Sequence, residues 1–594
     1  MTGAKGGRRL RLGLILLGGA LLAAGLAFRA PLHRQVDLLR DRWAFGAFVR
    51  SLPATRRADV PLRMADGVTL ATDVYLPKGT TGPVPAILVR LPYGKTFYVE
   101  ARHWVALFTA RGYAVLVQDM RGRYGSTGSF APYPMEAADG AATLDWIAAQ
   151  PWSSDKVGTI GCSALGETQV ILAARRPAHL AAMIPIGAGG AVGTAGGTYG
   201  FFGLYEGGVF QLASGYGWFA RWGGKTPAHM DPGPIDYARG LDTLPVRDAL
   251  RQTRPDPTDY EALLDGFSDP GYGARAGFVS DADRFQTPAL LVDGWYDPNV
   301  SSTFTLAARM PGSHVLIAPG LHCDLTQAFA AGTLGDLPVT GRPLPFDDLF
   351  AAFMDQHLKG APPPALPAYR VYVLAEDVWR DATAWPPPEA APVTFALAGD
   401  RLSPGDSTGR RSFTSDPMHP VPSLGGAICC TGDPAARAGP LDQRPVEARA
   451  DLLAYTSAPL AAPLRIAGPI SARLTVDTDV PDTDLVLTLT DVAPDGRSRM
   501  IQTGALRLRY RDGYGAPRMM VPGQPATVTV RLRDIAWLVK PGHRLRLDVA
   551  GSSFPRLARN LNGGSADPNR ETVPHRARIT IAAPSSLTLF RWPG

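Results

Sequence analysis

Gly161-Cys162-Ser163-Ala164-Leu165-Gly166, arriving after the apolar run Val157-Gly158-Thr159-Ile160, is the stretch whose reading decides the fold. A serine between small residues on a sharp strand-to-helix turn projects its hydroxyl above a sheet, and the backbone N–H after it faces a developing oxyanion. The stretch departs from Gly-x-Ser-x-Gly: Leu165 holds the second glycine position and Gly166 comes one residue late. A serine flanked by glycines is often an ordinary turn, so the flanks carry the argument. Asp139–Ala149 has helical spacing, Pro151–Asp155 is a turn, Lys156–Ile160 reads as a short buried strand, and Glu167–Arg176 as a helix ended by Pro177. Strand, tight turn and helix predict an α/β fold, with Ser163 on a nucleophile elbow.

A serine hydroxyl attacks only when a base takes its proton, so a histidine and an orienting carboxylate must lie nearby. In doubly wound hydrolases they follow in the order Ser, Asp, His, on loops past later strands. Pro288–Val292 reads as a strand followed by Asp293-Gly-Trp-Tyr-Asp297-Pro298, and His314–Ala318 as another followed by Pro319-Gly-Leu-His322-Cys-Asp324. The order selects His322 from ten histidines. Asp293 and Asp324 compete with Asp297, since either could cap a turn; Asp297 is preferred because it lies furthest out along its loop. Tyr93, just past the strand Ala86–Arg90, is placed to hold a hydroxyl over the same site.

These residues carry a resemblance. From about Arg57 onward the chain resembles the cocaine esterase and Xaa-Pro dipeptidyl-peptidase group of α/β hydrolases, the CocE/NonD-type family. The matching stretches are Leu91-Pro-Tyr-Gly-Lys95, Gln118-Asp-Met-Arg-Gly-Arg-Tyr-Gly-Ser-Thr-Gly128, Gly161-Cys-Ser-Ala-Leu-Gly166, Gly294-Trp-Tyr-Asp297 and Phe353-Met-Asp-Gln-His-Leu-Lys-Gly360, with Tyr455-Thr-Ser457, Asp482-Thr-Asp484 and Gly542-His-Arg-Leu-Arg546 further on. The resemblance implies a triad of Ser163, Asp297 and His322, an oxyanion hole of the Ala164 N–H and the Tyr93 hydroxyl, and no metal or organic cofactor. The family usually has tyrosine after the nucleophile where this chain has Ala164, which implies a roomier acyl pocket and bears on substrate range more than on reaction type.

The chain of 594 residues exceeds a single core. The reading gives it an α/β-hydrolase domain over 59–187 and 283–360, a helical cap inserted at 188–282, and a C-terminal jelly-roll-like β-sandwich over 368–594, whose segments Ile470–Val476, Leu485–Leu489, Ala526–Leu532 and Arg544–Val549 alternate like strands. The insertion is rich in aromatics: Tyr199, Phe201 and Phe202, then Tyr205, Phe210, Tyr216, Trp218 and Phe219. Residues 1–35 read as a signal peptide or membrane anchor: Lys5, Arg8, Arg9 and Arg11 precede the charge-free run Leu12–Phe28, which favours export to a periplasmic or other extracytoplasmic compartment. The net charge of +7 is scattered and carries no nucleic-acid signature, so the partner is a small-molecule ester or amide. Four cysteines are too few for a disulfide scaffold; Cys162 and Cys323 read as small buried fillers, and Cys429-Cys430 as two thiols or packing residues in preference to a strained vicinal disulfide.

The expected activity is hydrolysis of ester or amide bonds through an acyl-serine. A dipeptidyl-peptidase or α-amino-acid ester hydrolase is the alternative, and it would have to anchor a substrate ammonium. Pro298-Asn-Val-Ser-Ser302 offers no acid for that purpose, which leaves Glu206 or Asp231 of the cap as candidates. A non-catalytic binding protein on the same scaffold is the third reading, and the ordered trio argues against it.

Overall fold

The computed structural model describes residues 40–193, 195, 203–226, 233–254, 256–267, 269, 271–515 and 517–593. The run Leu12–Phe28, and Tyr199, Phe201, Phe202 and Asp231, lie outside them. Among the described residues no helix is long and apolar enough to cross a membrane.

A helix over 40–51 (α1) leads into β1 (Ala54–Arg63) and β2 (Thr69–Pro77), which pair antiparallel at one edge of a ten-stranded sheet. Inside that edge run β3 (Val84–Leu91), β4 (Ala114–Asp119), β5 (Ser153–Cys162) and β6 (Leu180–Ile186), in the spatial order β4-β3-β5-β6 and all parallel. Strands covered on both faces read as continuous apolar runs, and all six residues of β4 are buried. The covering helices include α2 (Val99–Thr109), α3 (Glu136–Ala148) and α4 (Ala164–Ala174). Every residue of α4 is buried, as expected of a helix that is apolar nearly all round.

The insertion holds a small hairpin, β7 (Tyr205–Glu206) with β8 (Val209–Phe210), and the helices α5 (Leu212–Trp222), α6 (Tyr237–Asp242), α7 (Tyr260–Gly266) and α8 (Tyr272–Arg275). Its described aromatics form an interior of their own: Phe210, Tyr216, Trp218, Phe219 and Tyr260 are buried together, and Tyr205 stacks on Phe267 with ring centroids 3.9 Å apart. The sheet resumes with β9 (Leu290–Tyr296), the helix α9 (Val300–Ala307) and β10 (His314–Leu321).

Two boundaries differ from the sequence reading. The strand expected at Pro288–Val292 runs on to Tyr296, so Asp293 lies inside β9 rather than past it. The sheet also continues beyond the Pro-rich joint: Tyr369–Val373 pairs parallel with β10, and Val378–Ala382 pairs antiparallel with it in turn. Residues 369–382 therefore complete the α/β sheet, although the sequence assigns them to the C-terminal domain. The reason is pairing, since the unsatisfied edge of β10 takes up the next extended segment.

The strands after Ala382 form a second ten-stranded, mostly antiparallel sheet system, the jelly-roll-like sandwich. Of its longest members, Leu464–Thr478 lies between Ala526–Val539 and Ala577–Arg591 and pairs antiparallel with both, with bulges in each ladder and burial alternating along much of its length. The sandwich grips β9: the Tyr296 hydroxyl donates to the carbonyls of Met500 and Ile501, and Gln502 Nε2 donates to the Trp295 carbonyl. It thus abuts the strand that ends at Asp297.

Candidate active site

The chain leaves β3 for β4 on one side and then returns for β5 on the other, which opens a crevice at the strands' carboxyl ends. Tyr93 follows β3, Ser163 follows β5, Asp297 follows β9, and His322 follows β10. Ser163 occupies the N-cap of α4 with φ 59° and ψ −127°, a left-handed backbone that a serine holds only when its surroundings over-determine it. The two glycines allow this. A Cβ on Gly161 would sit 2.5 Å from Leu165 Cβ, and one on Gly166 would sit 2.6 Å from Ala188 Cβ. The late glycine is therefore what lets α4 lie against the chain beyond β6. Leu165 is tolerated at the usual glycine position because its side chain covers the bare face of Gly161.

Asp297 is fully buried; its Oδ2 accepts from His322 Nδ1 at 2.6 Å and its Oδ1 from the Asn299 N–H at 2.7 Å. With Nδ1 donating, Nε2 is the free ring nitrogen, and it is buried without a hydrogen-bond partner. Burial alone would lower the imidazole's pKa, but the adjoining Asp297 carboxylate outweighs it and raises it, while His322 in turn holds Asp297 low. Gly187, with φ +55°, keeps the pair apart from the backbone: a Cβ there would stand 2.8 Å from Asp297 Oδ2 and 3.4 Å from His322 Nδ1.

The rival carboxylates have other duties. Asp293 accepts from the Gly294 N–H at 2.8 Å and the Thr303 hydroxyl at 2.6 Å. Burial, reinforced by Asp297, pushes its carboxyl far upward. Asp324 accepts the Gln327 N–H at 2.8 Å and caps a turn.

The Tyr93 hydroxyl accepts from Trp218 Nε1 at 3.1 Å. Its ring is wedged between Tyr98 and Trp222, with centroids 4.9 and 5.0 Å away. Burial raises the phenol well above its ordinary value, so it remains a neutral O–H donor. Ala164, directly after Ser163, is buried as the first residue of α4, and its N–H belongs to the positive end of that helix.

One sequence expectation is overturned. Cys162 and Cys323 are not fillers but a disulfide, with Cα atoms 5.7 Å apart and a sequence separation of 161. It ties the residue before Ser163 to the residue after His322. Cys429 and Cys430 are free thiols, and both line the pocket over Ser163 and His322.

Trp218, one of the insertion's aromatics, lines the same pocket, and so do Glu167 and Asn299, which sequence reasoning missed. Glu167 carried a signal: it is the one charged residue in the otherwise uncharged α4, a turn after Ser163. Its oxygens accept the N–H groups of Gly190 and Ala191 at 2.8 and 2.6 Å, yet burial, with Asp297 nearby, pushes its carboxyl up to about 8. Glu206, a candidate ammonium anchor, is already taken, because its Oε2 accepts from Arg533 at 2.8 Å and Arg556 at 2.6 Å.

A serine on an elbow over a doubly wound sheet, beside a buried carboxylate–imidazole pair, defines the class as serine hydrolases of α/β-hydrolase fold. Residues 66–324 match the family of X-Pro dipeptidyl-peptidases (S15 family), and residues 364–588 match the X-Pro dipeptidyl-peptidase C-terminal non-catalytic domain. Over 543 residues the chain is 32% identical to cocaine esterase of Rhodococcus sp. (strain MB1 Bresler), covering 85% of this chain and 92% of that protein. The chain belongs to this family. Among solved structures, an aminopeptidase from the marine sediment archaeon Thaumarchaeota archaeon (22% identity, TM-score 0.74, 91% of this chain and 96% of that one) has the same fold. So has an α-amino acid ester hydrolase (24% identity, TM-score 0.73, 91% and 97% covered).

Proposed function

We propose that this serine hydrolase is an exported carboxylesterase for small, uncharged acyl groups, with Ser163 as nucleophile, His322 as general base and acid, and Asp297 as the carboxylate that orients it. The observation that carries the reading is the 2.6 Å contact of His322 Nδ1 with Asp297, which leaves Nε2 open in the pocket that Ser163 lines. His322 Nε2 takes the Ser163 proton as Oγ bonds to the ester carbon, and the carbonyl oxygen, now anionic, accepts from the Ala164 N–H and Tyr93 O–H. The imidazolium gives its proton to the leaving alkoxide oxygen as the C–O bond breaks. Water, deprotonated by the same nitrogen, then releases the acid. In the resting structure His322 Nε2 has no hydrogen-bond partner; a base–nucleophile contact of this kind commonly forms only once substrate is bound.

An uncharged acyl group suits the lining. No acid follows Asp297 before α9, Glu206 is neutralised by two arginines, and a carboxyl with a pKa of about 8 at Glu167 is uncharged at neutral pH. An ammonium desolvated there without a counter-charge loses several kcal/mol. Export is supported by the N-terminal run and by a disulfide, which persists in oxidising compartments.

Glu167 also favours a second reading, the amino-ester or peptidase activity, in which a substrate ammonium would draw the proton off this acid. The deciding measurement is kcat/KM for a phenylacetyl ester against its α-amino counterpart, with fluorophosphonate labelling of wild type and Ser163→Ala. We expect one label, lost in Ser163→Ala together with turnover, and preference for the uncharged ester. Labelling that persists in the variant would refute the nucleophile, and preference for the amino ester would transfer the assignment to the second reading.

A further inference from the structure

All four cysteines of the chain gather round one imidazole: a ring nitrogen of His322 and the sulfurs of Cys429 and Cys430 lie within 4.8 Å of one another, and so do His322, Cys162 and Cys323. Cys162 and Cys323 are spent in their disulfide, but Cys429 and Cys430 are free and come from the C-terminal half of the chain. His322 Nδ1 is held by Asp297, so the nitrogen left for a ligand is Nε2, on a side chain nine-tenths buried and without a partner.

We propose that Cys429 Sγ, Cys430 Sγ and His322 Nε2 form a binding site for a soft, thiophilic cation of the zinc or cadmium class, whose occupation shuts the active site. Two thiolates and one imidazole with an open fourth position is a donor set that holds zinc tetrahedrally elsewhere in enzymes. At metal–sulfur and metal–nitrogen bonds of about 2.3 and 2.1 Å, tetrahedral donors stand about 3.6–3.8 Å apart. A ring nitrogen of His322 and both sulfurs already lie within 4.8 Å of one another, so tetrahedral spacing asks for shifts of about 1 Å. Binding releases the two thiol protons to solvent, together with the Nε2 proton wherever the ring is charged, and the two thiolates cancel the dication's charge. Hard ions such as magnesium, which prefer oxygen, gain nothing from sulfur.

The consequence follows from placement. The ion would claim the lone pair with which His322 removes the Ser163 proton, and it would stand in the pocket that Ser163 lines. Ester substrates and the cation therefore compete.

The test is a titration of the full chain with cadmium chloride, following the thiolate-to-cadmium charge-transfer absorbance, alongside inhibition of ester hydrolysis. One equivalent binds, inhibition is competitive and reversed by a chelator, and Cys430→Ser and His322→Asn each weaken binding at least about tenfold, more than loss of an outer-shell partner does at its mildest. In case a variant fails to fold, the wild type carries an independent readout: cadmium protects Cys429 and Cys430 from alkylation by iodoacetamide, as read by peptide mass spectrometry. The proposal is overturned by absence of the charge-transfer band at stoichiometric cadmium, by unchanged affinity in folded His322→Asn, or by unprotected thiols. Because absorbance and alkylation read metal directly, these outcomes do not depend on which ester the enzyme cleaves.

Discussion

Glu206→Gln separates anchoring of substrate from anchoring of domains. Glu206 sits in the cap hairpin, and its Oε2 accepts from Arg533 and Arg556 of the sandwich, across 327 and 350 residues of sequence. Arg533 also donates to the Pro298 carbonyl at 3.3 Å, one residue past Asp297, so the cluster reaches the site. The two guanidiniums overcome the penalty of burial and lower the carboxyl from 4.5 to about 2. At about 1.4 kcal/mol per unit, that depression is worth about 3 kcal/mol of stability. Removing the charge leaves two buried cations uncompensated, so Glu206→Gln should destabilise by about 3–5 kcal/mol at pH 7. The sign with pH is fixed by the depression: the contribution is complete above about 4.5 and is lost as pH falls toward about 2. The gap between wild type and variant must therefore narrow below pH 4.5. Urea unfolding of both proteins at pH 7 and at steps down to pH 3 measures it. A difference below about 1 kcal/mol at pH 7, or one that does not shrink with acid, would refute the clamp. A folded variant with selective loss of activity on free-amino esters would instead make Glu206 the ammonium anchor.

If Tyr93 is the oxyanion donor proposed above, Tyr93→Phe should lower kcat by about 100- to 1000-fold with little change in KM; near-normal kcat returns Tyr93 to packing against Tyr98 and Trp222. Gly187→Ala places a Cβ 2.8 Å from Asp297 Oδ2 on a left-handed backbone. It should displace the Asp297–His322 pair and lower kcat about 100-fold, since a displacement of about 1 Å carries that effect; steady-state kinetics within about twofold of wild type would show that the loop absorbs the methyl.

How much of this was legible in the sequence depends on how local the cause is. The elbow could be read because strand, turn and helix are each specified within a few residues, and the strand ends of β3, β9 and β10 bring Tyr93, Asp297 and His322 to the edge where Ser163 emerges. Choosing Asp297 over Asp293 needed the end of β9, which local patterning placed four residues early. The continuation of the sheet to Ala382 needed strand pairing, not propensity. The Cys162–Cys323 bond and the Glu206–Arg533–Arg556 cluster join segments separated by 161 to 350 residues, and nothing in either segment names its partner. What such residues do carry is chemical incongruity: an acid inside a buried apolar helix at Glu167, or adjacent thiols in a chain with only four cysteines. Burying a charge or a thiol pair without purpose is destabilising or inert. Residues of the wrong polarity for their surroundings are therefore the ones to bring to the site first, and here Glu167, Cys429 and Cys430 all line the pocket over Ser163.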